Sequence, residues 1–211
     1  MNKVMKRLAL LGYITVLVLI SGCKNTDSKA VVSNYSGEVP SAVLMNAQSI
    51  RASIKEGVSL TDEQAAVLAQ DNLTAYKDIK DELIEAVNSY RTENGLEKLK
   101  EDDTLSTIAM HRTAENAHME WMETITDEDG TIHHIRPDGS YISTVYSYYK
   151  KYGEYGEILG RRQKSVMDVI EAWKNSPQHN SCMLSDEFKY IGAGIAYAEN
   201  GDIYYAVEFM K

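Results

Sequence analysis

The sequence predicts an α+β fold: a three-layer α-β-α sandwich with a small antiparallel sheet, preceded by an N-terminal helical extension. The C-terminal runs 190–198 and 203–210 flank Asn200-Gly201, a dipeptide typical of a tight β-hairpin turn. Both faces of this hairpin are largely apolar, so another layer should cover each of them. Upstream, apolar residues recur at three- and four-residue steps, so helices are available for both layers.

The first 22 residues are expected to be a lipoprotein signal peptide. Lys3, Lys6 and Arg7 precede a thirteen-residue apolar run that ends at Ile20, shorter than the roughly 20 residues of a membrane span. Ile20-Ser-Gly-Cys23 resembles the lipobox of bacterial lipoproteins, in which the cysteine is acylated and becomes the new N-terminus. We therefore expect Cys23 to be lipidated and to anchor the chain in a membrane.

Charge and export limit the partners of the chain. Loss of the three basic leader residues would change the formal net charge from −9 to −12, which disfavours nucleic acid and charge-driven binding to anionic lipid. The expected location is the outer face of the cell membrane in a Gram-positive cell. In a Gram-negative cell it is the outer membrane, because Lys24 gives no inner-membrane retention signal. Lipidation of Cys23 leaves Cys182 alone, so no intramolecular disulfide can form.

Two segments lead from the anchor to the main domain at 76–211. Residues 23–40 are polar and read as a flexible tether. Residues 41–75 form the helical extension: one helix ends at Gly57, and a capping box from Thr61 to Gln64 opens a second helix through about Leu73. Their apolar faces are narrow, so the extension could pack on the main domain or act as a spacer.

Three further helices and the hairpin are predicted after residue 75. The first helix stops at Asn94-Gly95, Asp103 can cap the second, and Ser165 starts the third, which Pro177 closes.

The turn signal also gives an expected register for the hairpin. A two-residue turn at Asn200-Gly201 would place Ala198 opposite Ile203 and Gly194 opposite Val207. Small residues would then face large ones across the two strands.

Short patterns follow one another in a characteristic order through residues 76–211. They are Asn88-x-x-Arg91, Asn94-Gly-Leu96, Leu105-x-x-x-Ala109-x-x-Arg112, His134-x-Arg-Pro-Asp-Gly139, Gly156-Glu157, Trp173-x-x-Ser-Pro-x-His179 and Ile191-Gly-Ala-Gly194. This series resembles the CAP superfamily of cysteine-rich secretory, antigen 5 and plant pathogenesis-related proteins, in its bacterial SCP-like extracellular branch. The resemblance implies an α-β-α sandwich and a cleft with two histidines and one or two acids, often with a divalent metal.

The resemblance assigns the cleft residues. The two histidines match His134 and His179, and the acid matches Glu157. Such a set could bind Zn²⁺ or another divalent metal with an open position for water, or Glu157 could orient a histidine as general base. A third alternative is a polar cleft that binds a ligand without turning it over.

Three departures from the family pattern weaken the hypothesis that the cleft is catalytic. Ile158 replaces the asparagine after Gly-Glu, Ser176 replaces the second acid, and Cys182 replaces the asparagine of His-x-x-Asn. Cys182 and Ser176, together with Tyr155, are expected neighbours of the cleft. The interpretation of Cys182 as a nucleophile or metal ligand competes with that of a buried small apolar residue.

Other polar residues are weaker candidates. His111, Glu115 and His118 share a helix face, where a solvated stripe is favoured over a metal site. His133 should be exposed, because neighbours in an extended chain point to opposite sides. Tyrosines between residues 141 and 155 could line a ligand groove or pack around a loop.

The favoured function is a lipid-anchored binding module that presents its cleft to a lipid, a peptide or a cell-envelope glycan. The alternative is a metal-dependent, peptidase-like hydrolase that uses His134, His179 and Glu157. The third hypothesis is a structural envelope protein with a vestigial cleft. The missing second acid favours binding over catalysis.

Overall fold

The computed structural model describes residues 18–20, 47–128 and 132–211. The helices in these ranges are α1 Ala47–Ala52, α2 Asp62–Ala75, α3 Lys77–Glu93, α4 Asp103–Met119, α5 Ser143–Tyr148, α6 Val166–Lys174 and α7 Pro177–Met183. The strands are β1 Val18–Ile20, β2 Lys100–Glu101, β3 Glu123–Thr126, β4 Ile132–Ile135, β5 Tyr155–Arg161, β6 Tyr190–Tyr197 and β7 Ile203–Met210. Cys23, the predicted tether, most of the leader and the start of the extension lie outside the described residues. None of the described helices has the length and apolar character needed to cross a bilayer.

The main sheet has the strand order β1-β5-β7-β6-β2. Its pairs are antiparallel except for the short parallel pair of β2 with β6. One face packs on α3, α6 and α7 in a cluster that includes Leu83, Trp173, Met183, Val207 and Phe209. The opposite face packs on α4, so the predicted α-β-α sandwich is confirmed. A separate ribbon of β3 and β4 lies beside it.

Two glycines let β6 run directly against the backbone of α4. A Cβ atom on Gly192 would lie 2.1 Å from the amide nitrogen of Ser106, and one on Gly194 would lie 2.2 Å from the carbonyl carbon of Ala109. Any side chain at either position would collide with main-chain atoms that cannot move independently. The Ile-Gly-Ala-Gly pattern is therefore what brings α4 close to the sheet.

The expected hairpin register is wrong by one residue. Ala193 lies opposite Val207, and Gly194 opposite Ala206. The loop is longer than predicted: the amide of Gly201 donates to the carbonyl of Ala198, and Gly201 takes a positive φ of 83°. This is a type I turn closed by a left-handed glycine, the three-residue alternative to a two-residue turn.

The N-terminal extension packs on the main domain. Thr61 caps α2 through both bonds of the predicted capping box. Ala66 and Val67 are fully buried in a cluster with Leu105 and Ile108 of α4. With the sheet on one side and α2 on the other, α4 is buried on nearly every face. It begins after Asp102 rather than Asp103, because the Asp102 carboxylate accepts from the amide of Leu105 at 2.9 Å.

Candidate functional site

The site is built at the edge of β5. His134 lies on β4 and Glu157 on β5, and the Nδ1 atom of His134 is 2.5 Å from Oε2 of Glu157. Arg112 reaches the same carboxylate from α4, and its Nε donates to Oε1 over 2.9 Å. All three side chains are buried. Both oxygens of Glu157 are therefore engaged, and His134 is held with its Nε2 as the remaining ring nitrogen.

Electrostatics keep the Glu157 carboxylate ionised. Burial alone would raise its pKa, but the charges of Arg112 and His134 outweigh this and lower the pKa to about 2. An ionised carboxylate fixes the tautomer and orientation of the histidine that it accepts from.

A second buried acid, Glu208, lies directly opposite Glu157 on β7. Burial, followed by the negative charge of Glu157, raises the pKa of Glu208 well above its usual range. The hydroxyl of Tyr146 donates to Glu208 Oε2 at 2.8 Å, while Oε1 of Glu208 has no hydrogen-bond partner among the residues that the structure describes. Glu208 was not predicted as a site residue from the sequence, although a single acid inside the apolar run of β7 could have indicated it.

His179 enters from the other layer, on α7. Its ring is fully buried and stacks on Trp173 with ring centroids 6.3 Å apart. Neither ring nitrogen has a hydrogen-bond partner in the described part of the chain. Burial and, second, the nearby His134 lower the pKa of His179 to about 3, so the ring is neutral at pH 7. A neutral imidazole with both nitrogens free can donate to, accept from or ligate a bound group.

The donor set of this cleft suits a metal held by two imidazoles. His134 and His179 would supply the nitrogens, and Glu157 already occupies the position behind His134 that carboxylates take behind metal-binding histidines. The family resemblance counted Glu157 as a ligand. Here its oxygens are bound to Arg112 and His134, so it supports the site from behind.

A different group in the described ranges brings three ligand atoms within 4.8 Å of one another: Asp62, His111 and Glu115. Such a His/Asp/Glu group could hold a metal ion. However, the guanidinium of Arg136 already donates to Asp62 at 2.5 Å and to Glu115. A metal would have to displace this cation.

The solvated stripe expected on α4 is therefore wrong for two of its members. His111 and Glu115 are buried beneath α2 and the segment around α5, and His118 is half-buried. His118 bonds the carbonyls of Lys55 and Val58 at 3.1 Å each, so it holds the loop after α1.

The three expected cleft neighbours, Cys182, Ser176 and Tyr155, differ in their contacts. Cys182 is fully buried with its sulfur next to Gly156, and burial raises the pKa of its thiol, which disfavours a nucleophilic role. Ser176 precedes α7 without a side-chain capping bond. Tyr155 stacks on Tyr146 with centroids 4.1 Å apart.

The tyrosines between residues 141 and 155 do not share one environment. Tyr146 and Tyr149 are buried in the cluster around α5, whereas Tyr141 and Tyr152 are exposed. His133 is half-buried at the surface, paired with Asp127 at 2.7 Å.

Comparison with known families settles the class of the domain. The family model for the cysteine-rich secretory protein (CAP) family matches residues 84–209, more than half of the chain. The chain belongs to the CAP family. The match spans every element that carries His134, Glu157, Arg112 and His179.

One curated relative extends well beyond the matched region. The uncharacterized protein YkwD of Bacillus subtilis (strain 168) is 29% identical over 136 residues, which is 64% of this chain and 48% of YkwD. The chain thus spans about half the length of that relative.

Two solved structures share the CAP fold. An extracellular protein containing a SCP domain from Bacillus anthracis has a TM-score of 0.53 at 15% identity, over 73% of this chain and 45% of that protein. An outer surface protein from Borrelia burgdorferi has a TM-score of 0.52 at 23% identity, over 64% of this chain and 94% of the Borrelia protein.

Proposed function

We propose that this CAP protein is an exported, lipid-anchored binding module whose ligand is held between His134 and His179. The main support comes from His179, whose buried ring nitrogens have no hydrogen-bond partner among the described residues. Such an imidazole costs free energy unless a bound group completes its hydrogen bonds or coordination. His134, fixed by Glu157, supplies a second nitrogen on the other side of the β5 edge.

Export and anchoring are supported by the sequence and by the names of relatives. The basic start, the short apolar run and the lipobox-like Cys23 are features of a bacterial lipoprotein leader. One structural neighbour is described as extracellular and another as an outer surface protein. A lipid anchor would hold the cleft close to the outer face of a membrane, where lipids, peptides and envelope glycans are available.

Calorimetric titration of residues 24–211 with Zn²⁺ tests the cleft. We expect one ion per chain in the parent and in the surface control His133→Ala. His134→Ala and His179→Ala should each weaken binding by at least about tenfold, since each removes one imidazole ligand. Equal affinity in all four proteins would place the metal elsewhere, and Asp62→Ala would then test the group around Arg136. No binding by the folded parent would exclude the metal-binding form of the proposal.

A second candidate function is metal-dependent hydrolysis. It is favoured by one observation: an ionised Glu157 holds His134 in the arrangement used for histidine general bases. In this function His179 would hold the metal, which would supply a polarised water, and His134, not bound to the metal, would accept the proton of that water at Nε2. Peptide cleavage by the Zn²⁺-supplemented parent, lost in His134→Gln, would support this function over simple binding.

A further inference from the structure

Strand β5 carries Glu157, the acid of the site. Among the described residues from 47 onward, β5 has a sheet partner on one side only, namely β7. On its other side lie the ribbon that carries His134 and the helix that carries His179. An edge strand leaves a row of backbone donors and acceptors without partners, and such edges recruit further strands.

That edge already accepts an extended segment in this structure. Val18–Ile20 pairs antiparallel with β5, with Val18 opposite Ile158, Leu19 opposite Glu157 and Ile20 opposite Gly156. The same three residues contact both β4 and α7. A strand-like backbone therefore fits between the two elements that carry the cleft histidines, in register with the acid of the site.

The described residues from 47 to 210 form four apolar clusters among themselves. Cleavage before Cys23, as the leader predicts, would remove Val18–Ile20 and leave the β5 edge open. The segment then marks a place where another chain can bind.

We propose that the mature protein binds an extended apolar peptide by adding it as an antiparallel strand to residues 156–158 of β5. This proposal rests on the proposed function, because it names the ligand class of the same cleft. Main-chain hydrogen bonds to the edge would supply sequence-tolerant affinity, as in other cases of strand addition. The histidines on either side would then contact the side chains or carbonyls of the peptide.

The experiment uses residues 24–211 and a fluorescent peptide with the sequence Lys-Lys-Thr-Val-Leu-Val-Leu-Ile-Ser, which contains residues 15–21. Two variants carry N-methyl groups, one at the position of Leu19 and the other at the positions of Val18 and Ile20. In an antiparallel pair, alternate residues direct their amides toward the partner strand. One variant should lose at least about tenfold in affinity while the other binds nearly as the parent does, since methylation removes ladder hydrogen bonds from one set only.

Amide hydrogen exchange supplies the second readout. Bound peptide should slow exchange within residues 156–158, while Gly201, in the turn between β6 and β7, should keep its rate. Three results would overturn the proposal: no peptide binding, equal effects of the two methylation patterns, or pairing of β5 with a second copy of the chain as judged by sedimentation. If zinc binding still requires His134 and His179 while the peptide fails, strand addition is wrong and the binding cleft stands. If both histidine variants leave zinc and peptide binding unchanged, the proposed function fails.

Discussion

At the scale of single residues, the site is a buried charge network that depends on one cation. Arg112 contacts Glu157 at 2.9 Å and Glu115 at 3.1 Å, and all three are buried. Without it, the ionised Glu157 would face the second acid, Glu208, with only His134 as compensation. The family resemblance predicted His134, Glu157 and His179, but neither pattern nor spacing revealed that Arg112 and Glu208 complete the network, because contacts between α4, β5 and β7 depend on tertiary packing.

Replacement of Arg112 should be strongly destabilising. Arg112→Met leaves the buried Glu157 carboxylate with His134 as its remaining partner in the network, and we expect a loss of about 3–5 kcal/mol in the free energy of unfolding. The control Arg162→Met removes an exposed pair with Asp202, where the loss should be below about 1 kcal/mol. Urea denaturation at pH 7 measures both. Adding Glu157→Gln to Arg112→Met should restore part of the loss, and a purely additive double variant would contradict the proposed coupling.

His179 should make the fold sensitive to mild acid. Its pKa is about 3 in the folded protein, whereas an unfolded histidine titrates near 6.5. Below pH 6.5, His179 is therefore protonated in the unfolded chain but stays neutral in the native state. The free energy of unfolding consequently falls as the pH falls. Between pH 6.5 and 5, which lies above the ordinary pKa of glutamate, the free energy of unfolding should fall by about 1.5 kcal/mol because of His179.

Urea denaturation of His179→Gln and of the surface control His133→Gln at both pH values measures this effect. In His179→Gln the decrease in the free energy of unfolding between the two pH values should be smaller by about this amount. In His133→Gln it should match the decrease in the parent. Parallel curves for the parent and His179→Gln would show that the imidazole is hydrated in solution.

At the scale of elements, the helix assignments follow from local signals, and the failures come from tertiary contacts. Thr61, Ser165 and Asn94 mark helix ends as the sequence indicates. The hairpin register could not be derived, because Asn-Gly fits both a two-residue turn and the longer turn found here. The docking of α2 was undetermined because its buried face consists mainly of alanines, which give little hydrophobic contrast.

The extension is expected to be part of the folding unit. A chain that begins at residue 76 would expose Leu105 and Ile108, which pack on Ala66 and Val67. It would also leave Arg136 without Asp62. We expect its melting temperature to fall by about 10 °C or more relative to a chain that begins at residue 47. Equal melting temperatures in a calorimeter would show that the extension is a dispensable spacer.

At the scale of the whole molecule, the main feature is the large negative net charge expected for the mature protein. The expected mature charge of −12 would repel the domain from anionic lipid headgroups, so the lipid on Cys23 would carry membrane attachment alone.

This gives a direct prediction for Cys23→Ser. The variant should move from the membrane fraction to the soluble fraction of the producing bacterium, whereas Cys182→Ser should stay with the membrane. Fractionation followed by immunoblotting measures the distribution. Membrane retention of Cys23→Ser would contradict lipid anchoring at that residue.

The position of β7 in the sheet has a consequence for the order of events during synthesis. β7 pairs with both β5 and β6, yet it follows them in the chain. Neither neighbour can complete its ladder until residues 203–210 have been synthesised, so the sheet cannot assemble before this segment is available. The strand that is made last then brings Glu208 beside Glu157 as it closes the sheet.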